Sequence, residues 1–223
     1  MTPVLVFEVV AVVLAALSAM IAAAKKDLDF VGTYALAVIV AFGGGTIRDL
    51  LLMRRPFFWA ERWEYLVVIF VLCIPFVYSR GVHRFAQRVV ARGEFVDALG
   101  LGFYTVVGCI LALEAKQPAV VAILLGVITS TGGGIMGDVL MNEIPGYFRH
   151  GPLYTSSAFI GAVVFVGLDP LGHRVAVPAA VTSAVALRLI SVWLGATLPR
   201  PHWLRTDAHA IPGPPPGGAR LPD

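Results

Sequence analysis

Charge is what this chain has least of: Asp, Glu, Lys and Arg make up 14% of its 223 residues, against about a quarter in an ordinary soluble domain. So small a charged fraction argues against a water-solvated globule. The balance of 17 Lys and Arg against 14 Asp and Glu leaves a formal charge too modest to imply nucleic acid. Cysteine is almost missing. Its two copies, Cys73 and Cys109, both fall in apolar runs, where the expected role is a buried small hydrophobe rather than half of a disulfide. The five histidines, His83, His150, His173, His202 and His209, are scattered over loops and tail with no pair at metal-ligand spacing, so neither a metal site nor a cofactor is expected. A basic leader and a clear small-residue cleavage site are also missing before "VLVFEVVAVVLAALSAMIAAA", which therefore reads as a helix that is kept.

Apolar sequence is abundant instead. Hydrophobic residues make up 58% of the chain and the mean hydropathy is +0.82, which places it in a lipid bilayer. Seven apolar segments are long enough to be spanning helices or nearly so: roughly 4–24, 31–52, 65–79, 95–113, 119–141, 153–168 and 176–198. The expected fold is an all-α integral membrane protein with seven transmembrane helices in one domain, residues 1–198. The third and sixth segments are short, so they are expected to extend into flanking residues or to sit with little tilt.

Seven crossings put the termini on opposite sides. Arg54, Arg55, Arg62, Lys116 and Arg174 then share the N-terminal side, while Lys25, Lys26, Arg80, Arg84, Arg88, Arg92, Arg149, Arg200, Arg205 and Arg220 lie opposite. The positive-inside tendency places the N-terminus outside and the C-terminus in the cytoplasm of a cell membrane. Residues 199–223, rich in Pro and Gly and without apolar periodicity, read as a disordered tail.

Sliding the sequence on itself by 89 residues aligns Gly43, Gly44, Gly45, Asp49, Leu51 and Pro56 with Gly132, Gly133, Gly134, Asp138, Leu140 and Pro145. The same offset sets Glu8 on Asp97. Segments one to three (about 4–79) therefore repeat as segments four to six (about 95–168), and the seventh (about 176–198) is an addition. Each unit has an odd number of crossings, so the two copies run in opposite senses, the inverted-repeat arrangement of many transport proteins.

Each glycine inside a helix gives up about 1 kcal/mol relative to alanine, so a run of three calls for an explanation. Close helix packing is one reading, because small residues let backbones approach in membranes. Three successive glycines face in several directions, however, which favours a kink or break lining a pathway. Six charged residues at or near membrane depth point the same way, each costing roughly 2.5 to 3.5 kcal/mol at a helix centre. They are Glu8, Asp49, Asp97 and Asp138, and the bases Arg48 and Arg188; four acids against two bases favour cations. Adjacent helical residues point about 100° apart, so Arg48 and Asp49 are not expected to neutralise each other directly, and Arg48 is expected to pair with Glu8. Gly137 stands where the repeat would place a second arginine. Asp138 is therefore expected to be free to attract cations, with a pair to Arg188 as the alternative. An aspartyl dyad of Asp49 and Asp138 is ruled out, because inversion sends them toward opposite faces.

The paired "GGGTIRDLLLMRRPFFW" and "GGGIMGDVLMNEIP", with "DALGLGFYTVVGC" at Asp97, resemble the bacterial branch of the trimeric intracellular cation (TRIC) channels, whose repeat is also called a glycine-transporter domain. The resemblance covers about residues 4–198. It implies a homotrimer with one pore per seven-helix subunit, conducting potassium and sodium, not an enzyme, with the second and fifth helices kinked at Gly43–Gly45 and Gly132–Gly134. Asp49 and Asp138 match the motif acids and Arg48 the motif arginine. A secondary transporter of a small zwitterion such as glycine is the other reading of the same architecture.

Overall fold

The computed structural model describes residues 3–82, 84, 93–146 and 153–197, and the tail expected over 199–223 lies outside them. The helices are α1 (Pro3–Lys25), α2 (Phe30–Leu51), the single turn α3 (Phe58–Glu61), α4 (Glu64–Tyr78), α5 (Gly93–Glu114), α6 (Ala119–Leu140), α7 (Thr155–Leu168) and α8 (His173–Leu194). Five of them, α1, α2, α5, α6 and α8, are long and apolar enough to cross a membrane, and α4 and α7 are shorter apolar helices. The short pair corresponds to the third and sixth segments. At 15 residues, α4 reaches about 22 Å, less than the roughly 30 Å of a hydrocarbon core. The 3₁₀ turn Asp169–Leu171 extends α7.

Local signals explain the helix ends. The Asp29 carboxylate accepts the Gly32 N–H at 2.7 Å and caps α2. Gly195, at φ 60°, closes α8 by donating its N–H to the Ser191 and Val192 carbonyls.

The duplication extends to the backbone. After α2, Met53 adopts φ 53°, and after α6 its counterpart Asn142 adopts φ 57°. Arg54 N–H donates to the Asp49 carbonyl at 2.8 Å, and Glu143 N–H to the Asp138 carbonyl at 2.8 Å. The same correspondence joins Asp27 (φ 53°) to Lys116 (φ 55°) after α1 and α5.

The two units pack in opposite senses. Phe7 at the start of α1 stacks on Phe103 of α5, with ring centroids 5.7 Å apart, and Leu14 further along α1 lies beside Gly100, earlier on α5. On α2 and α6 the crossing is reciprocal. A Cβ on Gly44 would overlap the Thr129 carbonyl, and one on Gly133 would overlap the Val40 carbonyl; Thr129 is the repeat counterpart of Val40, and Gly133 that of Gly44. A pseudo-two-fold axis therefore passes through the glycine triplets.

Of the kink or break expected at the triplets, no break is found. Both helices run without interruption through Gly43–Gly45 and Gly132–Gly134, and four of these glycines bring the two backbones together: a Cβ on Gly43 or Gly132 would sit 3.1 Å from a Cα of the opposite triplet. Lipid offers no hydrophobic drive between helices, so close backbone approach supplies the cohesion. The remaining two face elsewhere. Gly45 makes room for the Phe58 ring, and Gly134 faces a cavity between α1, α2, α5 and α6.

Candidate functional site: two charged clusters beside two separate cavities

The first cluster is buried. Asp49 is fully buried at the end of α2; its Oδ1 accepts Nε and Nη2 of Arg48 at 2.9 and 2.7 Å, and its Oδ2 accepts the Phe58 N–H at 2.9 Å. Arg48, 1% exposed, also brings Nη2 to 3.9 Å from Glu8 and lays its guanidinium 5.3 Å from the centre of the Phe58 ring. Arg48 and Asp49 thus pair directly, contrary to the expectation from their adjacent places on the helix. The 100° rule describes Cβ directions, and the long arginine stem lets the guanidinium fold back over its neighbour. The Tyr65 hydroxyl donates to Glu8 Oε2 at 3.5 Å.

The second cluster lies at the other end. The Tyr154 hydroxyl donates to Asp97 Oδ1 at 3.1 Å, Arg188 Nη2 stands 3.9 Å from Asp97 Oδ2, and Asp138 Oδ2 accepts the Gly146 N–H at 3.1 Å. Asp138 thus has a backbone donor from the turn after α6, as Asp49 has one in the Phe58 N–H after α2, and such a bond leaves the carboxylate its charge. Arg188 takes Asp97 as an ion-pair partner. Asp49 and Asp138 belong to separate clusters and form no dyad.

Each cluster borders a cavity. One, of about 200 Å³, is lined by Leu5, Glu8, Arg54, Glu61, Leu111 and Glu114 among others. The opposite one, of about 120 Å³, is lined by residues that include Ser18, Asp97, Tyr104, Ser130, Gly134 and Asp138. The two linings do not overlap. Along α1 they are separated by residues 9–13 and along α5 by residues 105–110, where Ala11, Val12, Val106 and Val107 are buried. Tyr104 stands at the boundary, with its hydroxyl donating to the Ala41 carbonyl at 2.6 Å. This buried stretch separates the two cavities.

The crystal structure of the TRIC trimeric intracellular cation channel orthologue from Rhodobacter sphaeroides matches with a TM-score of 0.78 at 30% identity, over 88% of this chain and 100% of that one. The family model described as glycine transporter matches twice, over residues 5–80 and 94–170. The chain belongs to this family, that of the TRIC channels. Family relatives include a UPF0126 membrane protein of Vibrio cholerae serotype O1, 34% identical over 187 residues (82% of this chain, 77% of that protein). The UPF0126 inner membrane protein YadS of Escherichia coli K12 is 35% identical over 158 residues (70% and 74%).

Two members of the clusters escape motif reading: Tyr65 and Tyr154. The offset that aligns Glu8 with Asp97 also aligns Tyr65 with Tyr154, so extending the self-comparison past the motif finds both tyrosines. Phe58 stands in the first motif and falls on another aromatic residue, Tyr147, at the same offset, whereas Tyr104 carries no such signal. One is placed by the loop after α2, the other by the packing of α5 against α2.

Proposed function

We propose that this protein is a cation-selective channel for potassium and sodium, assembled as a homotrimer with one pathway in each subunit and closed in the form described. The observation that carries the reading is the pair of acid-bearing cavities at opposite ends of an inverted repeat, separated by only one to two helical turns. Likeness to a solved TRIC channel over most of the chain supports it. Passage requires only a short stretch to open, and the excess of Glu8, Asp49, Asp97 and Asp138 over Arg48 and Arg188 favours positive ions in it. The N-terminus lies outside and the C-terminus in the cytoplasm of the inner membrane, in keeping with the positive-inside count. Purified protein in planar bilayers should show unitary steps carried by potassium. Saturable, ion-coupled glycine uptake without steps would instead establish the second reading, secondary transport of a small zwitterion, which the family model's description favours and which two cavities on either side of a closed centre also fit.

Tyr104 is the residue whose removal should open the path most directly. Its hydrogen bond to the Ala41 carbonyl ties α5 to α2 at the closed stretch. Losing a bond of about 1 kcal/mol shifts a closed–open balance about fivefold. Tyr104→Phe should therefore raise the open probability by that order and leave the unitary conductance unchanged. Unchanged open probability removes Tyr104 from the gate.

A further inference from the structure

The second repeat lacks the motif arginine, yet its charged cluster shares an acid, a tyrosine and a guanidinium with the first. In the first, an acid (Glu8) receives a tyrosine hydroxyl (Tyr65) and faces a guanidinium (Arg48) at 3.9 Å. In the second, the acid is Asp97, the hydroxyl that of Tyr154, and the guanidinium that of Arg188, again at 3.9 Å. The acid and the tyrosine are repeat counterparts. The arginine is not: it comes from α8, which lies outside the duplication. Each guanidinium also faces an aromatic ring, Arg48 that of Phe58 and Arg188 that of Tyr154 at 4.7 Å. Position 137 has little room for a side chain, because a Cβ there would stand 2.5 Å from Val40 Cγ2.

The two clusters differ in access. The side chains of Arg48 and Glu8 are 1% and 10% exposed, whereas those of Arg188 and Asp97 are 14% and 32% exposed. Asp97, Asp138 and Tyr154 line the 120 Å³ cavity, so the charge balance of the second cluster is felt inside it. Low-dielectric walls strengthen that effect.

We propose that Arg188 replaces the missing motif arginine of the second repeat and sets the cation preference of the cavity at the Asp97 end, by offsetting Asp97 where an ion would enter. The proposal rests on the channel reading for its physiological meaning. With Arg188 neutral, the positive charge beside Asp97 is lost, and cations should enter from that side more readily.

The test is a thiol at Ser18, which lines this cavity, in a chain whose native Cys73 and Cys109 are buried. Rates of modification of Ser18→Cys by a cationic (trimethylammonium-ethyl) and an anionic (sulfonato-ethyl) methanethiosulfonate are compared. In the Arg188→Gln background the cationic-to-anionic ratio should rise at least about threefold, and Arg188→Lys should hold it at the parent value. A ratio unchanged by Arg188→Gln overturns the proposal. Should Arg188→Gln fail to fold, Asp97→Asn is compared with Asp97→Asn/Arg188→Gln: the double variant should show a ratio about threefold above the single, and equal ratios overturn the proposal. Potassium currents recorded in parallel separate the two readings. Wild-type protein without unitary steps defeats the channel function, and the thiol ratio still decides the electrostatic role of Arg188.

Discussion

Arg48→Gln should lower the stability of the folded protein by about 3–5 kcal/mol, the range for a buried charge group that loses its partner. The substitution leaves Glu8 and Asp49, both buried, without the cation that lies between them. Asp49 keeps only the Phe58 N–H among its present donors. Carrying Asp49→Asn in the same chain should recover a large part of the loss, since one positive and one negative charge then leave together. Thermal unfolding of the two single variants and the double in detergent gives the coupling, expected at 2 kcal/mol or more in magnitude. Simple additivity would show that the guanidinium and the carboxylate do not act as a pair. The same contacts bear on voltage sensing. A charge crossing the full potential gains about 2.3 kcal/mol per 100 mV, but Arg48 is held by Asp49, Glu8 and the Phe58 ring, so its displacement is expected to be small. Any variant that folds should keep the wild-type voltage dependence.

Gly44→Leu and Gly133→Leu should abolish folding, and the milder Gly44→Ala and Gly133→Ala should each cost about 1–3 kcal/mol by overpacking. The first added atom already meets the Thr129 or Val40 carbonyl. These are backbone atoms in the middle of a facing helix, which cannot turn aside as a side-chain tip can, so α2 and α6 must separate. Gly100→Ala is the control. Its Cβ would rest 3.7 Å from Leu14 Cβ, an ordinary contact, and alanine adds helix propensity; its stability should match or exceed wild type. Because positions 44 and 133 are related by the pseudo-two-fold axis, their alanine variants should lose similar amounts. The yield of folded protein and its unfolding temperature in detergent check all of this. A Gly44→Ala protein as stable as Gly100→Ala would mean that the crossing is not tight.

The helices and their duplication are legible in the chain because they depend on local properties. Apolar runs of sufficient length must form backbone hydrogen bonds internally in a membrane, and the expected segments 4–24, 31–52 and 119–141 lie within one residue at each end of Pro3–Lys25, Phe30–Leu51 and Ala119–Leu140. Repeat parity gives inversion without reference to any contact. The glycine triplets are harder to read, because a weak point in one helix and a close approach between two require the same residue. Only the position of the opposite helix distinguishes them: Thr129 against Gly44 and Val40 against Gly133.

The charges show the same boundary. By itself the sequence determined that Glu8, Asp49, Asp97, Asp138, Arg48 and Arg188 fall within or beside long apolar segments, that acids outnumber bases among them, and that the second motif lacks its arginine. Tertiary structure decided the partners. Arg48 folds back onto Asp49 because its stem is long enough to defeat the angular separation of neighbouring residues, and Arg188 reaches Asp97 because α8 packs beside α5. Position along a chain fixes how deep a residue lies, whereas the direction in which a flexible side chain ends depends on the space that other helices leave for it.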